Sequence, residues 1–322
     1  MQMKLSVFIL LSLLLVLTGL ENSGLSVTDP QITKDHFIAS LITSDAVLVP
    51  FAQYSHGHWE NPWPKSSDAS AKEPNTLANL PKPWFAEGRV PSPVWHFWSL
   101  DGKAHFLNAS KIVEVQSHCQ TLWGIASDLP KEEAVDDRYG MVGIALDIDR
   151  KVNPSYELNK TQDDGLKLQS FIQSEFGKEE QAKATELSRF LKPPRREEQK
   201  NKSVTLSHLY QMTIENTGER LYYFESLKEY KKPIPTNDQS CNDVFFNGWI
   251  SAKSGELKVI DSKIGWTDCE GRLDSIPLGL LVFDSEVFIF TRDFGYEDEK
   301  YSIFKLSESR MQLMLETQGG GC

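Results

Sequence analysis

The sequence predicts a mainly β protein, with antiparallel sheets of many short strands in a β-propeller-like or β-sandwich arrangement and a single helical insertion. Three observations carry this. Between Leu221 and Leu306 the chain holds seven short segments rich in branched and aromatic residues, set apart by turn residues such as Gly218, Ser254-Gly255, Asp284-Ser285 and Gly295. The connections are too short for crossover helices, so neighbouring strands must run antiparallel. The long stretch from Asp163 to Leu191 has helical spacing, with Leu168, Ile172 and Phe176 on one face.

Taken from the N-terminus, residues 1–20 read as a signal peptide. Lys4 precedes a run without charge from Leu5 to Leu20, sixteen residues against the roughly 20 that a bilayer core needs. Cleavage and export follow, to a secreted or periplasmic location with no membrane attachment afterwards; an uncleaved anchor is the other reading of the same run. Residues 21–160 read as an N-terminal β-rich region. In it, Phe37, Ile38, Leu41 and Ile42 have the spacing of an amphipathic helix, and Ala46 to Phe51 that of a strand.

A long loop at 60–93 follows, broken by seven prolines and carrying Trp63, Trp84 and Phe85. Val94 to Ser99 and Lys103 to Leu107 form a hairpin across Asp101-Gly102, and Ile112–Val115, Trp123–Ala126 and Tyr139–Ile148 continue the β pattern. The helical insertion and a charged linker occupy 161–203. Asp163-Asp164 stand at the helix start, Gly177 lies in its middle, and Pro193-Pro194 stop it. Residues 204–316 form the C-terminal antiparallel region, with a turn at Asp261-Ser262, and 317–322 a flexible tail ending Gly-Gly-Gly-Cys. Trp98 to Cys119 and Trp249 to Cys269 share an order of tryptophan, glycine turn, Ser-Lys-Ile and cysteine, which would suit a duplicated propeller blade.

The 34 basic and 45 acidic residues give a net charge of -11, which becomes -12 once Lys4 leaves with the leader. Such a surface repels phosphate backbones and points away from nucleic acid. No glycine-rich phosphate loop or dinucleotide fingerprint occurs, and no cofactor is called for. Export makes disulfides natural. Cys241 and Cys269 are the preferred pair, closing a loop that would contribute about 3–4 kcal/mol, while Cys119 and Cys322 are left without an assigned partner. Three sequons, at Asn108, Asn159 and Asn201, are acceptors for N-glycosylation if the host modifies exported proteins.

Three groups of residues carry chemistry. His56 and His58, two apart, would face one metal ion from an extended segment, against the plainer reading of two loop histidines. Asp268, Glu270 and Glu297 are candidate catalytic acids for glycan hydrolysis, or simply solvated turn carboxylates. Trp59, Trp63, Trp84 and Trp98 would make a stacking platform for a ligand if exposed, and anchors for the long loop if buried. Two functions follow: an exported acidic binding or structural protein that takes a glycan or a protein surface, or a secreted glycan hydrolase using paired carboxylates near the Asp268 turn. The sequence leaves open whether the protein is an enzyme.

Overall fold

The computed structural model describes residues 36–63, 91–99, 102–117, 120–130, 132–134, 141–187, 203–229, 243–267, 274–294, 298–307 and 310–321. The leader, Trp84, the three candidate acids Asp268, Glu270 and Glu297, and all four cysteines, including the Cys241–Cys269 pairing, lie outside these residues.

The protein is mainly β, with three antiparallel sheets and one helical insertion. The first sheet contains β1 (His36–Thr43), β2 (Val47–Ser55), β3 (His58–Glu60), β4 (Val94–Ser99), β5 (Ala104–Ser117), β6 (Gln120–Ser127) and β7 (Met141–Leu146). Its order is β1-β7-β4-β5-β6-β2-β3, and β1 also pairs with β2, so six strands close into a barrel and β3 extends one wall. Ile38, Ile42, Leu48, Trp95, Phe97, Leu107, Ile112 and Ile125 fill the barrel. The alternate residues Phe37, Ala39, Leu41, Phe51 and Tyr54 point outward into a second core.

The helix expected over Phe37–Ile42 is therefore a strand. A strand buried on both faces shows a continuous apolar run in place of alternation, and over so short a segment that run mimics helical spacing. Asp147 ties the barrel rim together. Its carboxylate accepts from the Ile38 N–H at 2.7 Å and the Ser92 N–H at 3.4 Å, and its own N–H donates to the Ile38 carbonyl at 3.2 Å.

The chain leaves the barrel through β8 (Val152–Pro154) and β9 (Tyr156–Glu157), then enters α1 (Asp163–Ala182) and α2 (Ala184–Leu187). The remaining strands are β10 (Thr205–Ile214), β11 (Glu219–Glu229), β12 (Asp243–Lys253), β13 (Glu256–Thr267), β14 (Asp274–Phe283), β15 (Glu286–Phe294), β16 (Asp298–Ser307) and β17 (Arg310–Gly321). They make an outer sheet, β13-β12-β11-β10-β9, and a middle sheet, β17-β16-β15-β14-β8.

The middle sheet packs on the barrel through aromatic contacts: Phe37 to Phe283 at 5.3 Å, Tyr54 to Phe283 at 5.2 Å, Trp59 to Phe288 at 5.4 Å and Phe51 to Phe290 at 5.9 Å between ring centroids. Tyr210, Met212, Leu221, Tyr223 and Trp249 of the outer sheet join the same core. The opposite face of the outer sheet, with Leu209, Tyr222, Phe224 and Phe246, is covered by Leu168, Ile172 and Phe176 of α1. The Lys228 ammonium adds a 2.6 Å bond to Glu180 on that helix. The sheets thus stack as layers rather than radiate as blades.

Three further expectations change. Asp261-Ser262 is no turn: β13 runs through it, and the shift in pairing between Trp249 and Ile250 leaves Ile260 as a bulge. The helix is capped by Gln162 with no side-chain bond, and Asp163 and Asp164 sit inside its first turn, where they complement the helix dipole. The tail completes β17, pairing Gln318 with Lys300 and Gly320 with Glu299. Gly319 lets the Tyr301 ring lie against the strand, since a Cβ there would come within 2.6 Å of a ring carbon. The Trp98 and Trp249 repeats are both hairpins, β4–β5 and β12–β13, each turning at a glycine of positive φ (Gly102, +85°; Gly255, +84°), but the irregularity near Ser110-Lys111-Ile112 lies in the pairing of β5 with β6, whereas that near Ser262-Lys263-Ile264 lies within the hairpin itself. They belong to different sheets with different partners.

Candidate functional site

The tryptophans of the proposed platform are held in protein. Trp59 and Trp98 are each 6 % exposed and belong to the core between barrel and middle sheet. Trp63 packs against the barrel core and donates its Nε1–H to the Pro50 carbonyl at 2.6 Å. This is the anchoring alternative for these three residues.

His56 lies within a two-residue hairpin loop and His58 directly follows it, so the two do not share an extended segment. His56 (φ +49°) and Gly57 (φ +85°) are the central residues of the loop, and Ser55 pairs with His58 across it. The same-side argument, which needs extended backbone, does not hold at His56. Its ring instead meets the His36 ring edge-on at 4.3 Å. Among the described residues no group of three or more histidines, cysteines or acids is arranged to hold a metal ion.

A carboxylate pair does exist, in a place the sequence did not advertise. On the face that β14, β15 and β16 turn toward the outer sheet, Asp293 accepts hydrogen bonds from the hydroxyls of Ser275, Ser302 (2.8 Å) and Thr291 (3.4 Å). From β11, Glu225 accepts from the Tyr223 hydroxyl at 2.9 Å and from the Ser275 N–H at 2.9 Å. One serine thus bridges two buried carboxylates. Burial raises the Asp293 carboxyl above its usual range despite the three hydroxyls, and burial together with the Glu225 charge holds the Tyr223 phenol well above its own. On the other face of β15, Arg292 pairs with Glu299 through Nε at 2.6 Å and Nη2 at 2.9 Å, and the Tyr301 hydroxyl donates to the same carboxylate. These groups satisfy one another within the core and knit the layers. The signal in the sequence was a lone acid inside an apolar run, as in Tyr222-Tyr223-Phe224-Glu225.

A cleft of about 370 Å³ opens where all three layers meet. The barrel contributes Gly102 of the β4–β5 turn, the middle sheet contributes Asn153 and Pro154 of β8, and the outer sheet contributes Tyr156 of β9 and Thr213 of β10; Lys151 and Glu215 flank these strands. Ser155 fastens the crossing from β8 to β9: it is fully buried, its N–H donates to the Leu278 carbonyl at 3.3 Å, and its hydroxyl donates to the Pro277 carbonyl. Asn153 donates Nδ2–H to the Thr213 carbonyl at 3.2 Å, and Gln211 donates to the Tyr156 hydroxyl at 2.5 Å, which holds the phenol ring while 42 % of the residue stays exposed. Lys151 and Glu215 form an ion pair at the cleft, so the one cation and one anion among its described lining residues offset each other.

A second cleft, about 280 Å³, lies between the start of α1 and the outer sheet, where Arg220 pairs with Asp164 at 3.2 Å. Among the described residues neither cleft is lined by two carboxylates. Sequence reasoning missed the first cleft because β8 and β9, which form much of its lining, are three and two residues long, too short for any periodicity; the Asn153-Pro154 bend was the available sign. No helix among the described residues is long and apolar enough to cross a membrane. Compared with known proteins, the chain matches no family model, no curated protein and no solved structure.

Proposed function

We propose that this is an exported binding protein that takes a neutral glycan in the cleft at the junction of the three layers. The observation that carries the reading is the lining of that cleft: a clamped, part-exposed Tyr156 ring beside Asn153, Thr213 and a self-compensating Lys151–Glu215 pair. An aromatic face packs against sugar C–H groups, and the surrounding polar groups suit hydroxyls. With its charges paired, the cleft favours a polyhydroxylated ligand over a phosphate or a carboxylate. A volume near the lower end of ligand pockets suits one or two sugar rings.

The hydrolase reading needs two acids converging on one cleft. Glu215 is the one acid of this cleft among the described residues, and Glu225 and Asp293 are spent on internal hydrogen bonds. The binding reading is therefore favoured. The test is a glycan array probed with the secreted protein, followed by calorimetry of the positive glycan against wild type and Tyr156→Ala. We expect binding without release of reducing sugar, weakened about tenfold or more in Y156A, equivalent to roughly 1.4 kcal/mol. Equal affinity of Y156A and wild type, or turnover of the glycan, would overturn the proposal.

A further inference from the structure

Two of the three sequons lie within the described residues, and their geometries differ. In Asn159-Lys160-Thr161, on the loop between β9 and α1, Asn159 Oδ1 accepts from the Thr161 N–H at 3.0 Å and from the Thr161 hydroxyl at 2.7 Å. The backbone N–H is a donor only, so the atom facing it must be the amide oxygen, and Nδ2 therefore lies on the outward side of the amide. Asn159 itself is exposed.

The loop beneath it is anchored. The Lys160 ammonium donates to the carbonyls of Ser207 at 2.6 Å and Leu206 at 3.3 Å. Gly165 lets the Asn159 carbonyl approach the helix so closely that a Cβ would fall 2.5 Å from it. Asn108 is exposed as well, but its hydrogen bonding differs. It lies inside β5, its Nδ2–H donates to Asp128 at 2.5 Å, its N–H donates to the same carboxylate at 2.7 Å, and the Ser110 hydroxyl of its sequon is turned to the Ala126 carbonyl at 3.1 Å.

We propose that Asn159 is an N-glycan attachment site and that Asn108 is not. The co-substrate is an oligosaccharide carried on a lipid pyrophosphate. The bond from Nδ2 to sugar C1 forms as the bond from C1 to the pyrophosphate oxygen breaks; the lipid pyrophosphate leaves with the electron pair, and Nδ2 gives up one proton. The Asn159 turn spans two residues and needs no tertiary contact, so it forms in a chain that has not yet folded. After folding, a glycan there meets solvent. A glycan on Asn108 would break the bond to Asp128 on a paired strand. The inference does not depend on the junction cleft; it depends on the leader delivering the chain to a glycosylating compartment.

The full chain, expressed from Met1 in a eukaryotic secretory cell line, is treated with an amide-cleaving glycosidase in ¹⁸O water and mapped by mass spectrometry. We expect Asn159 to be recovered as labelled Asp and Asn108 as unlabelled Asn, in the wild-type protein and so without reliance on the folding of any variant. Asn159→Gln and Thr161→Ala should each remove one glycan, and Asn108→Gln none. Recovery of unmodified Asn159 overturns the proposal, whether the chain is secreted bare or retained in the cytosol. A glycan on Asn108 overturns it equally. Neither result bears on glycan binding at the junction.

Discussion

Asp293 shows how a single carboxylate reports on the layer it sits in. Burial favours its protonated form, and the hydroxyls of Ser275, Ser302 and Thr291 reduce that preference without cancelling it. A carboxyl raised on folding contributes stability that is fully present below the unfolded value, about 3.9, and lost as pH rises through the higher folded value. Asparagine at 293 cannot titrate. The melting temperature of wild type minus that of Asp293→Asn should therefore fall as pH is raised from about 3 toward 7, most steeply just above the ordinary aspartate range. A difference independent of pH would remove Asp293 as a buried titrating group. Ser275 matters for a related reason, since it serves both carboxylates, donating its N–H to Glu225 and its hydroxyl to Asp293.

Among the elements, β17 depends most on residues of least apparent content. Tyr301 is buried with its hydroxyl bonded to Glu299, and its ring occupies the space a side chain at 319 would need. Gly319→Ala should cost about 1–3 kcal/mol in urea unfolding through overpacking, and an unchanged midpoint would contradict the tight approach. Glycines in sequence read as a loose tail because their contribution here is the space they leave, which no pattern of side chains records. The hairpin at Val94 to Leu107 and the helix face of Leu168, Ile172 and Phe176 were legible because local chemistry and tertiary burial agree there. β1 was not, because burial on both faces erases alternation, and the bulge at Ile260 was mistaken for a turn because Asp261-Ser262 has turn composition.

At the scale of the molecule, the middle sheet decides the arrangement. Leu280 and Leu281, adjacent in sequence, are both fully buried, as are Ile289 and Phe290, so this sheet needs a partner on each face. The barrel supplies one and the outer sheet the other. Where the chain passes between them at Ser155, the three layers leave a cleft. That junction was not readable in advance, since Gly102, Asn153, Tyr156 and Thr213 come from four strands or turns whose meeting is a matter of topology. The aromatic residue that lines this cleft is Tyr156 rather than Trp59 or Trp98. The direct test is an amide chemical-shift titration of the isotope-labelled protein with a glycan identified on the array. Glycan binding at the junction predicts saturable shifts clustered at Gly102, Asn153, Tyr156 and Thr213, one set from each layer; shifts confined to any other surface, or to a single layer, would contradict it.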